Sequence, residues 1–221
     1  MPTLAILGAG PGLGAAVARK FGAAGFHVAL ISRTQAHVDA LAAELGRAGI
    51  TAGGYAADVR DTAALTGALD RAAAELGPVA VLQYSPVPQR VFLRPVLDTT
   101  AADVWAALEC SVLGPLTAVH HVLGGMREAG QGTVLFVNGS SAVRPNATYA
   151  GTSIAFAAES AYAQMLHDAL AGSGVHVGQL IVPGAIRPGH PTHDPDVLAE
   201  KLWSLHTHRE VFRDYAEPLA D

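Results

Sequence analysis

The stretch SSAVRPNATYAGTS, residues 140–153, holds the side chains best suited to chemistry in this chain. Ser140 and Ser141 close a hydrophobic run, Tyr149 stands at the start of a predicted helix, and Ser153 follows one turn later. A serine hydroxyl can hydrogen-bond a carbonyl oxygen and orient it, and a phenol can give or accept a proton. A free phenol titrates near pH 10, so only on the order of 0.1% of it is ionised at neutral pH. A close cation lowers an acid's pKa by about 1–3 units, but the chain's two lysines are Lys20, in the first predicted helix, and Lys201, in the last. Arg144 precedes Tyr149 on a predicted loop. Such a set suits delivering a proton better than removing one.

A second cluster can hold an anion. GAGPGLG, residues 8–14, follows the apolar run TLAIL and opens an Ala-rich segment. Gly8, Gly10, Gly12 and Gly14 let the backbone turn sharply and approach a pyrophosphate closely, with Pro11 and Leu13 inside the same turn. The N–H groups and partial positive charge of the following helix complete the site. A position between a predicted strand and a predicted helix is the context such a turn requires. The next strand ends VALISRT, which puts Ser32 where a carboxylate would accept the ribose hydroxyls, and Arg33 follows. A guanidinium pairs two-pronged with phosphate, so NADP(H) is expected in preference to NAD(H).

These groups need a scaffold. Candidate strands are Thr3–Leu7, His27–Ile31, Thr51–Ala56, Val79–Tyr84, Thr133–Val137 and Val175–Val182, with a short final strand in REVFRDYAEP. Helices are predicted near 12–24, 35–48, 61–76, 99–127, 147–171 and 195–206. Several strands are continuous apolar blocks (LAIL, VALI, VLFV), the mark of strands covered on both faces. Regular alternation gives βαβ units, right-handed crossovers and a parallel sheet of about seven strands. One domain over 1–221 is expected, with 187–208 a short substrate-covering loop and helix.

Composition narrows the function classes. The chain is 50% hydrophobic and 15% charged, as an ordered domain should be. A formal charge of -5 without a basic run argues against nucleic acid. Cys110 is the single cysteine, so no internal disulfide can form, and a reducing, cytoplasmic setting is expected. The chain enters a strand at once, without a basic leader, and no apolar stretch reaches the ~18 residues of a membrane span. No membrane partner is expected. His190, His193 and Asp194 are close in sequence, as are His206 and His208. Pro191 and Pro195 mark an irregular loop there, and spacing fixes no further ligand, so no metal is expected.

In its glycine spacing the chain resembles the short-chain dehydrogenase/reductase family: Gly8, Gly12 and Gly14 fit GxxxGxG. Asp58-Val59 after the third strand resembles the family's adenine-contacting pair. Pro183-Gly184 after the sixth, with Ile186 beyond, resembles the segment that lies against the nicotinamide. Ser140-Ser141 ends the fifth strand, where the family keeps its active-site serine. Gln83-Tyr84-Ser85-Pro86 stands in place of the family's Asn-Asn-Ala-Gly, so that Tyr84, Ser85 and Pro86 would line the cofactor. The family's helix-four asparagine maps to Ser111 when Gly114 is the anchor, and Pro188 stands near a usual threonine. The resemblance implies a Rossmann-type, doubly wound α/β domain, a small-molecule substrate, and a homodimer or homotetramer built on paired long helices. The small residues of 147–171 and a helix entered at Asp98-Thr99-Thr100 suit that pairing.

The family also places a lysine four residues after its tyrosine. With Tyr149 as that tyrosine, Ser153 takes the lysine position. Counting back from Pro183-Gly184 instead puts Thr152 or Ser153 at the tyrosine and Phe156 or Ala157 at the lysine. Neither register supplies the amine. Three functions follow. The first is an atypical NADPH-dependent reductase of a small carbonyl or enone. In it Ser141 or Ser140 orients the carbonyl, and Tyr149, Ser153 or a water gives the proton. The second is an NADP-binding sensor or partner without turnover. The third is a non-redox lyase or isomerase.

Overall fold

Strands form where apolar residues run without interruption, and helices fill the Ala- and Leu-rich segments between them. The computed structural model describes residues 1–219. The strands are β1 (Thr3–Leu7), β2 (His27–Ser32), β3 (Ala52–Ala56), β4 (Val79–Tyr84), β5 (Gly132–Gly139), β6 (Val175–Val182) and β7 (Arg213–Tyr215). All pair in parallel, in the order β3-β2-β1-β4-β5-β6-β7. The chain reverses direction across the sheet between β1 and β4, and that crevice at the carboxyl ends of the strands is where such sheets bind ligands. The result is the expected seven-stranded, doubly wound Rossmann-type domain.

Successive strand residues point to opposite faces, so each strand feeds two cores. Ala5, Leu7, Leu82, Tyr84 and Phe136 face the layer of α3 (Thr62–Leu76), α5 (Gly114–Glu128) and α6 (Ala150–Ala169). Leu4, Ile6, Val81, Leu135 and Leu180 face α1 (Leu13–Ala23), α2 (Gln35–Arg47) and α7 (Pro195–His208). Of the predicted 187–208 cover, α7 buries Leu198, Ala199, Leu202 and Leu205 in this second core. Only 187–194 remains as loop at the strand ends.

One predicted helix is broken. The expected 99–127 helix is α4 (Ala101–Leu108), a π-helical turn (Glu109–Leu113) and α5. Thr100 caps α4 in a reciprocal box with Asp103. The wide turn has two causes. Pro115 lacks the N–H that the Ser111 carbonyl would accept, and the Tyr84 hydroxyl donates to the carbonyl of Cys110. Gly114 permits this approach, since a Cβ there would lie 2.5 Å from the Tyr84 oxygen and 2.9 Å from the Val59 carbonyl. The whole rod corrects one sequence expectation. Within the 28 residues Ala101–Glu128 an 18-residue window reaches a mean hydropathy of 1.2, long and apolar enough by that measure to span a membrane. In this fold Ala107, Ala118, Val119 and Met126 bury its inner face in the core.

Candidate cofactor and active site

The carboxyl ends of β1, β2, β3 and β4 enclose an open cavity of about 260 Å³. Of the residues singled out from sequence, Gly8, Gly10, Ser32, Arg33, Asp58, Val59 and Pro86 line it. Gly8 has φ +88°, and a Cβ there would stand 2.6 Å from the Pro86 nitrogen, so the first glycine is demanded by the protein itself. Gly10 and Gly12 differ: nothing lies within 4 Å of a Cβ at either. The open face over them is the room a closely approaching pyrophosphate needs, and α1 begins behind it without a side-chain cap. The turn therefore has the room and the free N–H groups that a dinucleotide would need, and Gly10, Gly12 and the first N–H groups of α1 are the ones that would meet its phosphates.

Of the other predicted cofactor residues, Pro11, Gly12, Leu13, Gly14, Tyr84, Ser85, Pro183, Gly184 and Ile186 do not line the cavity. Gly14 packs its backbone on Ala9, 3.1 Å from a built Cβ, and Leu13 is buried with it, while Pro11 is exposed at the tip of the turn. Ser85 ties β4 to β1 through its N–H, 3.0 Å from the Leu7 carbonyl. Tyr84 is buried on the α5/α6 side with its hydroxyl on Cys110, and burial pushes its phenol well above the usual range. Asp58 grips Arg60 with both oxygens, at 3.1 Å to Nε and 2.8 Å to Nη2. That pairing holds the Asp58 carboxyl below the usual carboxylate range, against the opposing effect of burial. Pro183-Gly184 ends β6, with Gly184 at φ +93°, and Ile186 packs against the second core.

The proposed chemistry sits at the ends of β5 and β6. Ser140 and Ser141 form a 3-10 turn, both half-buried. Tyr149 stands at the N-cap of α6 with 44% of its surface exposed. Ser153 is buried, and its hydroxyl both accepts from the Asn146 N–H and donates to the Asn146 carbonyl, at 3.0 Å each. The segment 85–98 lies across the start of α6: the Ala150 N–H donates to the Arg94 carbonyl at 2.9 Å, and the Thr152 hydroxyl to the Phe92 carbonyl at 3.4 Å. Phe156 packs on Ala142 and Ile181. Thus one sequence register puts an engaged serine at the lysine position, and the other a buried phenylalanine or a half-buried alanine. The two lysines are held elsewhere, Lys20 2.6 Å from Glu200 and Lys201 3.0 Å from Asp214.

Sequence reasoning missed several neighbours. Thr34, His37, Val87, Gln89 and Cys110 also line the cavity, and burial pushes the Cys110 thiol up to about 11. Beneath the chemistry end lies a buried polar layer. Gln179 donates to Asn138 at 2.8 Å, and its oxygen accepts from Ser160 at 3.1 Å and from Arg213 at 2.7 Å. Glu159 is buried beside Asn138, and burial raises its carboxyl well above the usual range. Asn138 favours the charged form, although its amide nitrogen makes no hydrogen bond of normal geometry. Only the helix period could have flagged Glu159, because it falls on the inward face of α6. Among the described residues no group of three or more His, Cys, Asp or Glu is placed to hold a metal ion.

Residues 2–194 match the short chain dehydrogenase family. The chain belongs to that family. It is 32% identical over 198 residues to the short-chain reductase protein NovJ of Streptomyces niveus, covering 89% of this chain and 72% of that one. It is 32% identical over 130 residues to D-threitol dehydrogenase of Mycolicibacterium smegmatis, covering 59% of this chain and 49% of the enzyme. For three of the curated short-chain relatives it spans only 16%, 49% and 59% of their length. Among solved structures, a short-chain dehydrogenase from Rhodopseudomonas palustris superposes with a TM-score of 0.86 at 25% identity, over 99% of both chains. A metagenomic short-chain oxidoreductase in complex with NADP gives 0.86 at 22% identity, over 99% of this chain and 98% of that one. Members of the family use NAD(P).

Proposed function

We propose that the chain is an NADPH-dependent reductase of a small organic carbonyl or enone, working in the cytoplasm as a homodimer or homotetramer. One observation carries the reading. Ser32 and Arg33, with no carboxylate at the end of β2, line the same cavity as Gly8 and Gly10. A guanidinium there favours a 2′-phosphate and offers nothing to the two free ribose hydroxyls that an acid would bind. The related fold in complex with NADP supports the same choice.

When bound, the reduced nicotinamide supplies two electrons and one hydrogen to the carbonyl carbon. Ser141, or Ser140 beside it, donates a hydrogen bond to the carbonyl oxygen and so favours the charge that grows there. Tyr149 then gives that oxygen its proton, and its exposure at the head of α6 lets it recover one from water. Pro86, Val87 and Gln89 of segment 85–98 line the cavity, and the loop 187–194 would cover the substrate. The measurement is a binding titration with both cofactors, followed by NADPH oxidation over a carbonyl panel. NADPH is expected to bind at least about tenfold tighter than NADH, a difference of about 1.4 kcal/mol. Tyr149→Phe and Ser141→Ala should each lower turnover by about 10²-fold or more. Equal affinity for the two cofactors, or full activity in both variants, would overturn the reading.

A second reading has its own support. Phe156 fills one candidate lysine position with an apolar ring, which favours a dinucleotide-binding protein without turnover. Tight NADPH binding with no oxidation across the panel would select it. For assembly, Trp105, Leu113, Ile154 and Met165 are exposed on α4, the π-turn and α6, between 46% and 63% each. A face of this kind suits a two-fold partner. Light scattering at micromolar concentration should give a dimer or tetramer mass, and a monomer would count against it.

A further inference from the structure

The cavity corner beside Arg33 contains a histidine that the cofactor reading does not use. His37 sits one turn beyond Arg33 in the first turn of α2 and lines the cavity with Ser32, Arg33 and Thr34. Its position is fixed from behind. The Gln35 side chain accepts from the Ala56 N–H at 2.9 Å and donates to the Gly54 carbonyl at 2.8 Å, which ties this turn to the end of β3. Gly54 lets the two elements touch, since a Cβ there would stand 2.8 Å from the Val38 carbonyl carbon. Val38 is buried beneath the turn, and the exposed His37 lines the cavity on its other side.

The charges facing this corner are few. Arg33 comes from the end of β2. Asp58, from beyond β3, is held by Arg60. Cys110 faces it from the π-turn as a neutral thiol. On α2 itself, Asp39 accepts from Gln35 at 2.7 Å. An imidazole beside an arginine gains nothing from a proton until an anion arrives. A phosphate monoester brings about 1.5 to 2 negative charges at pH 7 and changes that balance.

We propose that His37 is a specificity-determining residue for the 2′-phosphate, taking up a proton as NADPH binds and serving as a second cation beside Arg33. This rests on the NADPH reading. It adds that the preference for NADPH is itself pH-dependent, greater near pH 6.5 than near pH 8, whereas NADH binding is not.

The test is isothermal titration of NADPH, NADH and 2′-AMP at pH 7 in buffers of different ionisation enthalpy. Wild type, His37→Gln and His37→Lys are compared, with circular dichroism as a check of folding. Wild type should show net proton uptake with NADPH and 2′-AMP beyond any seen with NADH. His37→Gln should lose the uptake and bind NADPH about 3–10-fold more weakly while keeping its NADH affinity. His37→Lys should keep tight NADPH binding and lose its pH dependence. If NADPH is preferred but no proton is taken up, the role of His37 is overturned while the cofactor reading stands. The same holds if His37→Gln weakens both dinucleotides equally, which would mark a contact with adenine. If NADPH binds no tighter than NADH, both fall.

Discussion

The Ser153 hydroxyl exchanges two hydrogen bonds with a single residue, accepting from the Asn146 N–H and donating to the Asn146 carbonyl, each at 3.0 Å. It clasps the loop after β5 to the second turn of α6, with Tyr149 held between. Ser153→Ala should cost on the order of 1 kcal/mol, read as a fall in Tm of about 2–4 °C in calorimetry. A loss of about 10²-fold in turnover with an unchanged Tm would instead mark Ser153 as the proton donor.

Two glycines of the same turn should respond in opposite ways. Gly8→Ala forces an L side chain to φ +88° and against the backbone of Pro86. It should cost at least about 2 kcal/mol and be visible in denaturant melts. Gly10→Ala meets open space. It should melt like the parent within about 1 °C and lose dinucleotide affinity by about tenfold or more, measured by titration.

Burial raises the Glu159 carboxyl above its usual range, against the opposing effect of Asn138, and so favours its protonated form in the folded chain. Above the ordinary carboxyl range the unfolded chain releases that proton while the folded chain keeps it, so folding loses stability as pH rises. Glu159→Gln removes this slope and keeps the shape. Its Tm should exceed the parent's at pH 8, by about 2–4 °C for each kcal/mol released, and the gain should vanish toward pH 4.5. A gain that does not vary with pH would show that the carboxyl ionises freely in place.

His176 titrates in the other direction. It is buried, its Nε2 has no hydrogen-bond partner among the described residues, and burial with nearby His167, Arg209 and His206 lowers it to about 4. Its neutral form is fully accommodated above the unfolded value of about 6.5, and stability is lost as pH falls from there toward 4. The loss is on the order of 2–3 kcal/mol at pH 4. His176→Gln should flatten this acid limb in urea melts taken from pH 7 to pH 4.

Sequence was enough where structure is local. β1, β4 and β6 begin and end where the sequence places them, because strands buried on both faces are mostly apolar runs bounded by turn residues. The cavity residues Gly8, Ser32, Arg33 and Asp58 were legible because strand-to-helix turns place them at the carboxyl ends. His37 was not, because its role depends on Gln35 and Gly54 seating α2 on β3, a contact between segments. The break at Glu109–Leu113 was hidden for a similar reason. Pro115 signals it, but the hydroxyl that holds the freed carbonyl region comes from Tyr84, far along the chain. Around Ser153 and Phe156 the run of small residues gave no register, and packing against Asn146, Ala142 and Ile181 decides which groups are engaged.

Both lysine amines project from the α1 and α7 layer, each held by a carboxylate, and neither stands at the carboxyl ends of the strands. Coupling through these two amines would therefore grip the molecule by its flank and leave the cavity at the strand ends facing the solution. That suits immobilised samples to screening against the proposed carbonyl substrates without mutation.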